Sequence, residues 1–204
     1  MVKVFSHLGC EYEKFGYEMI RYLWKNKSII DKNGDGILQY VLVSGPMRDL
    51  ISNQRTQGAI SAIENSGIKT EKFISLNTDW SKEVAKSDIE NIYLTYGRKV
   101  EAIIANSDDL AIGDAEALQK YGYNTGENSN FIPVFGIGGI PEAKELIDKG
   151  IMSGTVILDL KELANDFYAV GMNLVNNVSP IENTSLKIDN RGIITILQNP
   201  KKYI

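Results

Sequence analysis

Strand-like and helix-like segments alternate along most of this chain, and that alternation leaves few folds open. Short runs rich in β-branched residues, LQYVLVSG (38–45), TEKFISLN (70–77), VEAIIANS (100–107), IPVFGIGG (132–139) and MSGTVILD (152–159), are separated by segments with helical spacing near 50–66, 81–95, 109–121, 141–149 and 161–176. Strands and helices alternating at this length make βαβ units, so the spacing predicts an α/β fold, a parallel sheet flanked by helices. YGYNTGENSN (121–130) reads as a surface loop. After about residue 177 the pattern changes to SLKIDNRGIITIL, two short strands joined by a turn at Asn190-Arg191-Gly192.

In such folds ligands sit outside the carboxyl ends of the strands. The residues expected there are Ser44 to Arg55, Asn77 to Trp80, Asn106 to Asp109, Gly136 to Gly139, and Leu158 with Asp159. GIGGIPEA (136–143) lacks both the full G-x-G-x-x-G spacing and the Lys-Ser/Thr of a phosphate loop, and reads as a turn. No Cys/His or Ser/His constellation suggests catalysis, and the lone His7 lies in the N-terminal segment, away from these loops. A binding protein rather than an enzyme is therefore expected. A net charge of −4 provides no basic field for nucleic acid, and no apolar run is long enough to span a bilayer. At 204 residues with 43% hydrophobic residues, the chain can bury a substantial core. One cysteine, Cys10, rules out an internal disulfide framework, and MVKVFSHLGC carries no secretory signal pattern.

The stretch DKNGDGILQ (31–39) places oxygen-bearing side chains at alternate positions. A chain wrapped around Ca²⁺ presents alternate residues to the ion, and a glycine at the sixth position takes the sharp turn. Asp31, Asn33, Asp35 and Gln39 would supply side-chain oxygens and Ile37 its carbonyl. The twelfth position is Leu42, inside an apolar strand, so this is not an EF-hand and a bidentate carboxylate must come from elsewhere in the chain. The same residues also make an ordinary polar turn.

NGDGILQYVLVSG, RTQGAISAIENSGIKTE, VEAIIANSDDLAIGDAEAL, IPVFGIGGIPEAKELIDKGIMSGTV and LKIDN together resemble the glucose/galactose-binding proteins, the calcium-containing substrate-binding components of sugar ABC transporters and chemotaxis. The resemblance runs from about Gly16 to Asn190. It implies the second lobe of a type I periplasmic-binding-protein-like fold and an extracytoplasmic location, periplasmic or cell-surface. It also implies Glu101, in KVEAIIAN, as the missing bidentate ligand to a structural Ca²⁺. Arg55 and Trp80 match the family's sugar-binding Arg and Trp. Other sugar-contacting positions depart: Asp49 and Ile51 stand where the family has His and Asp, Ser107 and Leu158 where it has Asn, and Gly138 where it has Asp. Each lost partner leaves a sugar hydroxyl unpaired at roughly 1–3 kcal/mol, so weak hexose binding is expected.

Family members close two lobes on a ligand, and the resemblance covers the second. It divides the chain into 1–26, a remnant of the crossing from the first lobe and a first helix, 27–159, the calcium-binding α/β lobe, and 160–204, a return helix and terminal strands. Leu163, Phe167, Val170 and Leu174 form an apolar stripe on that helix, which would seek cover from a separate first lobe, a second copy in a homodimer, or a membrane transporter or sensor. The alternative is that the helix folds back on the chain's own sheet. The functional expectation is a sugar-binding subunit or remnant with a degraded hexose site. The alternative is an interaction or sensing module that retains the calcium-bound scaffold.

Overall fold

The computed structural model describes residues 5–7, 17, 21, 31–65, 67, 69–126, 130–190, 192–196 and 201–204. Its elements are β1 (Phe5–His7), β2 (Ile37–Ser44), α1 (Leu50–Asn65), β3 (Lys69–Asn77), α2 (Lys82–Tyr96), β4 (Ala102–Ala105), α3 (Asp108–Gln119), β5 (Val134–Gly138), α4 (Pro141–Asp148), β6 (Gly154–Ile157), α5 (Leu160–Val175), β7 (Ile193–Thr195) and β8 (Lys201–Tyr203). The alternation predicted from the sequence is present. Two units divide the chain, residues 12–157 with 200–204 and residues 1–11 with 158–199.

In the larger unit a six-stranded sheet runs in the order β3-β2-β4-β5-β6-β8. The pairings from β3 to β6 are parallel, and β8 closes the edge antiparallel to β6, with Thr155 opposite Tyr203. Position in the sheet explains strand composition. β2 and β4 are buried along nearly their whole length, so both read as continuous apolar runs, as parallel strands covered on both faces do. β3 lies at an edge and alternates polar exposed residues with half-buried Phe73, Ile74 and Leu76. Val41, Val43, Ile103 and Ala105 meet Leu110, Ala111, Ile89 and Leu118 from α3 and α2 in one core cluster. Truncating the fully buried Ile103 to Ala would cost about 2–5 kcal/mol through lost contacts and the cavity left behind.

The helices start where local chemistry satisfies their first N–H groups. The Ser81 hydroxyl accepts from the Val84 N–H at the head of α2, and the Ser107 hydroxyl from the Leu110 N–H at the head of α3. Pro141 opens α4, where its missing N–H costs nothing. α2 and α3 pack so closely that a Cβ added to Gly113 would fall 2.5 Å from the Lys82 carbonyl oxygen.

In the smaller unit β1 pairs parallel with β7, placing His7 opposite Thr195. Flanking the expected turn, the Asp189 N–H donates to the Ile193 carbonyl and the Asp189 carboxylate accepts from the Ile193 N–H, each at 2.9 Å. Only Ile188 of the first expected strand pairs, in a single antiparallel bridge to Ile194. The Asp159 carboxylate caps α5 through the Glu162 N–H at 3.0 Å. The apolar stripe on α5 is graded: Val170 is buried, Leu163 and Phe167 are half-buried, and Leu174 is 44% exposed. Val2, Lys3, Val4, Cys10 and Arg191, the middle residue of the expected turn, lie outside the described residues.

Candidate functional site

At the amino end of β2 the sequence's oxygen-rich loop folds around a carboxylate from a distant strand. Glu101, 0% exposed just ahead of β4, accepts the N–H groups of Lys32 (2.8 Å), Asn33 (3.3 Å) and Gln39 (3.1 Å). Asp31 accepts from the Gly34 and Gly36 N–H groups at 2.8 and 3.0 Å, Asn33 from Asp35, and Asp35 from Ile37 at 2.7 Å. The side-chain amides of Asn33 and Gln39 each donate to Asp35 at 2.9 Å. Gly34 and Gly36 stand at φ +72° and +77°, left-handed backbone that a Cβ would disfavour. The structure thus gathers the loop residues Asp31, Asn33, Asp35, Ile37 and Gln39 around Glu101 from a distant strand. The Ile37 N–H, then the Gln39 and Asn33 amides, hold the Asp35 carboxyl below its ordinary range. All the side-chain donors are hard oxygens, three of them from carboxylates, which is the donor chemistry that suits Ca²⁺. In this geometry the carboxylates serve backbone N–H groups, and among the described residues no three His, Cys, Asp or Glu side chains are gathered tightly enough to hold a metal.

At the opposite, carboxyl ends of the strands, Arg55 and Trp80 come together from α1 and the loop after β3. The guanidinium carbon lies 5.8 Å from the Trp80 ring centroid. Arg55 is 7% exposed and its terminal N–H donates to the Asn106 carbonyl at 2.5 Å. Contacts around Trp80 hold it in an uncommon backbone conformation. Asp79 and Trp80 have φ of +48° and +61°, uncommon for residues with side chains and costly by about 1–3 kcal/mol each. The Thr78 hydroxyl and N–H both donate to the Ser44 carbonyl at 2.9 Å, fixing the start of that turn. Asp49 caps α1 through the Ser52 N–H and accepts from the Trp80 indole N–H at 3.4 Å.

Within the expected stretch Asn106 to Asp109, two buried residues anchor this region, a role the sequence does not assign to either. Asn106 donates its amide to the Ser52 carbonyl (3.0 Å) and to the Thr56 hydroxyl (2.8 Å), tying the end of β4 to α1. Asp108 is 1% exposed and accepts from the Thr155 hydroxyl at 2.5 Å and the Ile140 N–H at 2.9 Å. Burial raises its carboxyl, against the hydrogen bonds that hold it down. The sequence signal was the polar cluster Asn106-Ser107-Asp108 directly after an apolar strand. Gly138 and Gly139, at φ +149° and +74°, form the turn from β5 into α4 that GIGG predicts. A Cβ on Gly138 would meet Asp108 Oδ2 at 3.0 Å. Ile51 is 37% exposed, and the Ser107 hydroxyl is engaged as the α3 cap.

A family model for the periplasmic binding protein domain matches residues 2–178. The D-galactose/methyl-galactoside binding periplasmic protein MglB of Haemophilus influenzae is 29% identical over 177 residues, 86% of this chain and 51% of that protein. The D-allose-binding periplasmic protein of Escherichia coli is 28% identical over 128 residues, 63% of this chain and 39% of that protein. A crystal structure of an ABC transporter periplasmic solute binding protein from Actinobacillus succinogenes, with bound D-allose, superposes with a TM-score of 0.77 at 20% identity, covering 98% of this chain and 62% of that one. These relatives are binding proteins, not enzymes, and the chain spans about half the length of the first of them.

Proposed function

The chain belongs to the periplasmic binding protein domain family, and from that premise we propose that it is a sugar-binding lobe of an ABC-transport binding protein, acting outside the cytoplasm. The observation that carries this reading is the pairing of Arg55 with Trp80 at the carboxyl ends of the strands. A planar cation offers directed donors to hydroxyls, and an indole offers a flat apolar face to the carbon side of a pyranose. The surrounding contacts hold Trp80 in an uncommon backbone conformation, a kind of strain that clusters at ligand sites. The relatives named for galactose and allose support the substrate class.

The hexose site is depleted in this reading. Ile51, Gly138 and Leu158 offer no polar side chain where the resemblance implies acidic or amide partners, and Ser107 caps a helix. Calorimetric titration of the chain with galactose, glucose and allose tests the proposal: weak, saturable binding abolished by Trp80→Ala supports it. Saturable binding that Trp80→Ala leaves unchanged would overturn it.

Calcium belongs to the same reading. Asp31, Asn33, Asp35 and Gln39, the Ile37 carbonyl and Glu101 would hold the ion. Bound there, it would supply positive charge to the two loop carboxylates and to Glu101 and so stabilise the fold. A second reading, an interaction or sensing module on the same scaffold, draws on the exposed apolar residues of α5, with Tyr168 70% and Val175 72% exposed. Light scattering separates the two: assembly broken by Tyr168→Glu, with no sugar titration, favours the module.

A further inference from the structure

At the amino end of the sheet, away from Arg55 and Trp80, a cavity of about 280 Å³ opens among Lys32, Asn33, Arg98, Val100, Tyr123 and Ile132. Its floor is apolar and closed, since Val100 and Ile132 are 2% and 1% exposed and Tyr123 is 8% exposed. The Tyr123 ring is braced edge-on by Tyr93, which stacks on Tyr121 with centroids 4.6 Å apart. The wall is also fixed. The buried Asn124 amide donates to the Ile132 and Ile151 carbonyls at 2.8 and 2.9 Å, and its oxygen accepts the Ile132 N–H at 2.9 Å.

Above this floor stand two cations. The Lys32 ammonium lies 5.9 Å from the Tyr123 ring centroid, and Arg98 lines the same cavity. Lys82, Lys86, Lys120 and Lys149 each pair with a glutamate, whereas among the described residues neither Lys32 nor Arg98 has a carboxylate in ion-pair contact. Burial holds the Lys32 ammonium below its ordinary range, and the charge of Glu101, whose oxygens accept from the backbone N–H groups of Lys32, Asn33 and Gln39, acts in the opposite direction to keep it protonated. In a chain of net charge −4, two cations that among the described residues make no ion-pair contact line one apolar cavity and, against the single carboxylate of Glu101, leave it locally positive.

We propose that this cavity binds a small organic anion, a carboxylate on an apolar body about the size of a benzene ring. The carboxylate sits between Lys32 and Arg98, whose fork of donors suits its two oxygens, while the body packs on Val100, Ile132 and the Tyr123 ring. The volume lies near the lower end for small-molecule sites, which limits the body to one ring or a short branched chain.

Nitrogen-15 NMR of the chain titrated with benzoate, benzamide and inorganic phosphate tests the proposal. Benzoate should shift the amides of Val100, Tyr123 and Ile132 saturably. Benzamide, the uncharged isostere, and phosphate, which lacks the apolar body, should each bind more weakly by a factor of about ten or more, the equivalent of about 1.4 kcal/mol. Arg98→Ala should weaken benzoate by a similar factor and Arg98→Lys by less, with the rest of the spectrum unchanged. Although Lys32 and Asn33 belong to the oxygen-rich loop, Arg98 is exposed and outside it, so the Arg98 variants leave the proposed calcium and sugar ligands intact and their failure is distinguishable from a failure of those readings. Shifts that do not saturate, phosphate binding as tight as benzoate, or benzoate affinity unchanged in Arg98→Ala would each overturn it.

Discussion

Trp80 lies directly over Gly45: a Cβ built on that glycine would fall 2.2 Å from Cε2 of the indole. The absence of a side chain at the end of β2 therefore sets the depth at which the ring rests. Gly45→Ala should push the ring off its seat and cost about 1–3 kcal/mol of stability. The Trp80 indole N–H resonance should move, because Asp49 accepts that proton only in the present pose. An unchanged indole resonance with full stability would show that the loop after β3 adapts freely.

Hexose affinity should be no tighter than roughly millimolar, about 4 kcal/mol of binding free energy. Arg55→Ala should abolish what remains, and should also destabilise the fold, since Arg55 is buried and donates to the Asn106 carbonyl. Micromolar galactose or allose binding by this chain, measured calorimetrically, would contradict the depletion argued for the site.

Restoring an acid at position 138 should not rescue binding. Gly138 has φ +149°, and a side chain there would meet Asp108 Oδ2, placing a second carboxylate against the first. Gly138→Asp is expected to lower the melting temperature and leave hexose titrations flat. Tight hexose binding in this variant would show that the β5–α4 turn can rearrange.

Chelation should lower the melting temperature if Ca²⁺ occupies the loop, because an ion that binds the native state stabilises it by mass action. Asp31→Ala and Glu101→Gln should reproduce the shift and then show no further response to chelator. Glu101→Gln should cost an additional 1–3 kcal/mol or so, because the buried carboxylate accepts three backbone N–H groups and an amide cannot serve them all. A melting curve indifferent to chelator, with no metal by elemental analysis, would leave the loop as a turn built from side-chain hydrogen bonds.

Asp114, in the middle of α3, is 0% exposed, and among the described residues neither of its carboxyl oxygens has a hydrogen-bond partner. Burial, and then the Asp88 charge, push its carboxyl well above the ordinary range. The native state therefore keeps a proton that the unfolded chain releases near pH 4. Its contribution to stability is fully present below that pH and is lost as pH rises through the native-state value. Asp114→Ala should remove this slope and stabilise the protein at pH 8 by about 1–3 kcal/mol, relieving an unsatisfied buried group. Equal pH dependence of denaturant melts for the variant and the parent chain would refute the assignment.

The sheet and its helices were legible in the sequence because each depends on local periodicity: β2 and β4 had to be apolar on both faces, and α2 and α3 carried serine caps where the strands ended. The oxygen-rich loop was legible for the same reason, since its hydrogen bonds run between residues a few positions apart. Tertiary structure decided what depends on meetings between distant residues. β8 lacks an apolar pattern and becomes a strand only because the edge of β6 offers unpaired backbone groups. β1 pairs with β7 across almost the whole chain, a partnership no local window contains. Asn106 and Asp108 emerge as anchors only once α1 and Thr155 close on them, because a polar side chain can be buried only where folding delivers its partners. The orientation of Trp80 likewise follows from Gly45, a residue whose contribution is the space it leaves.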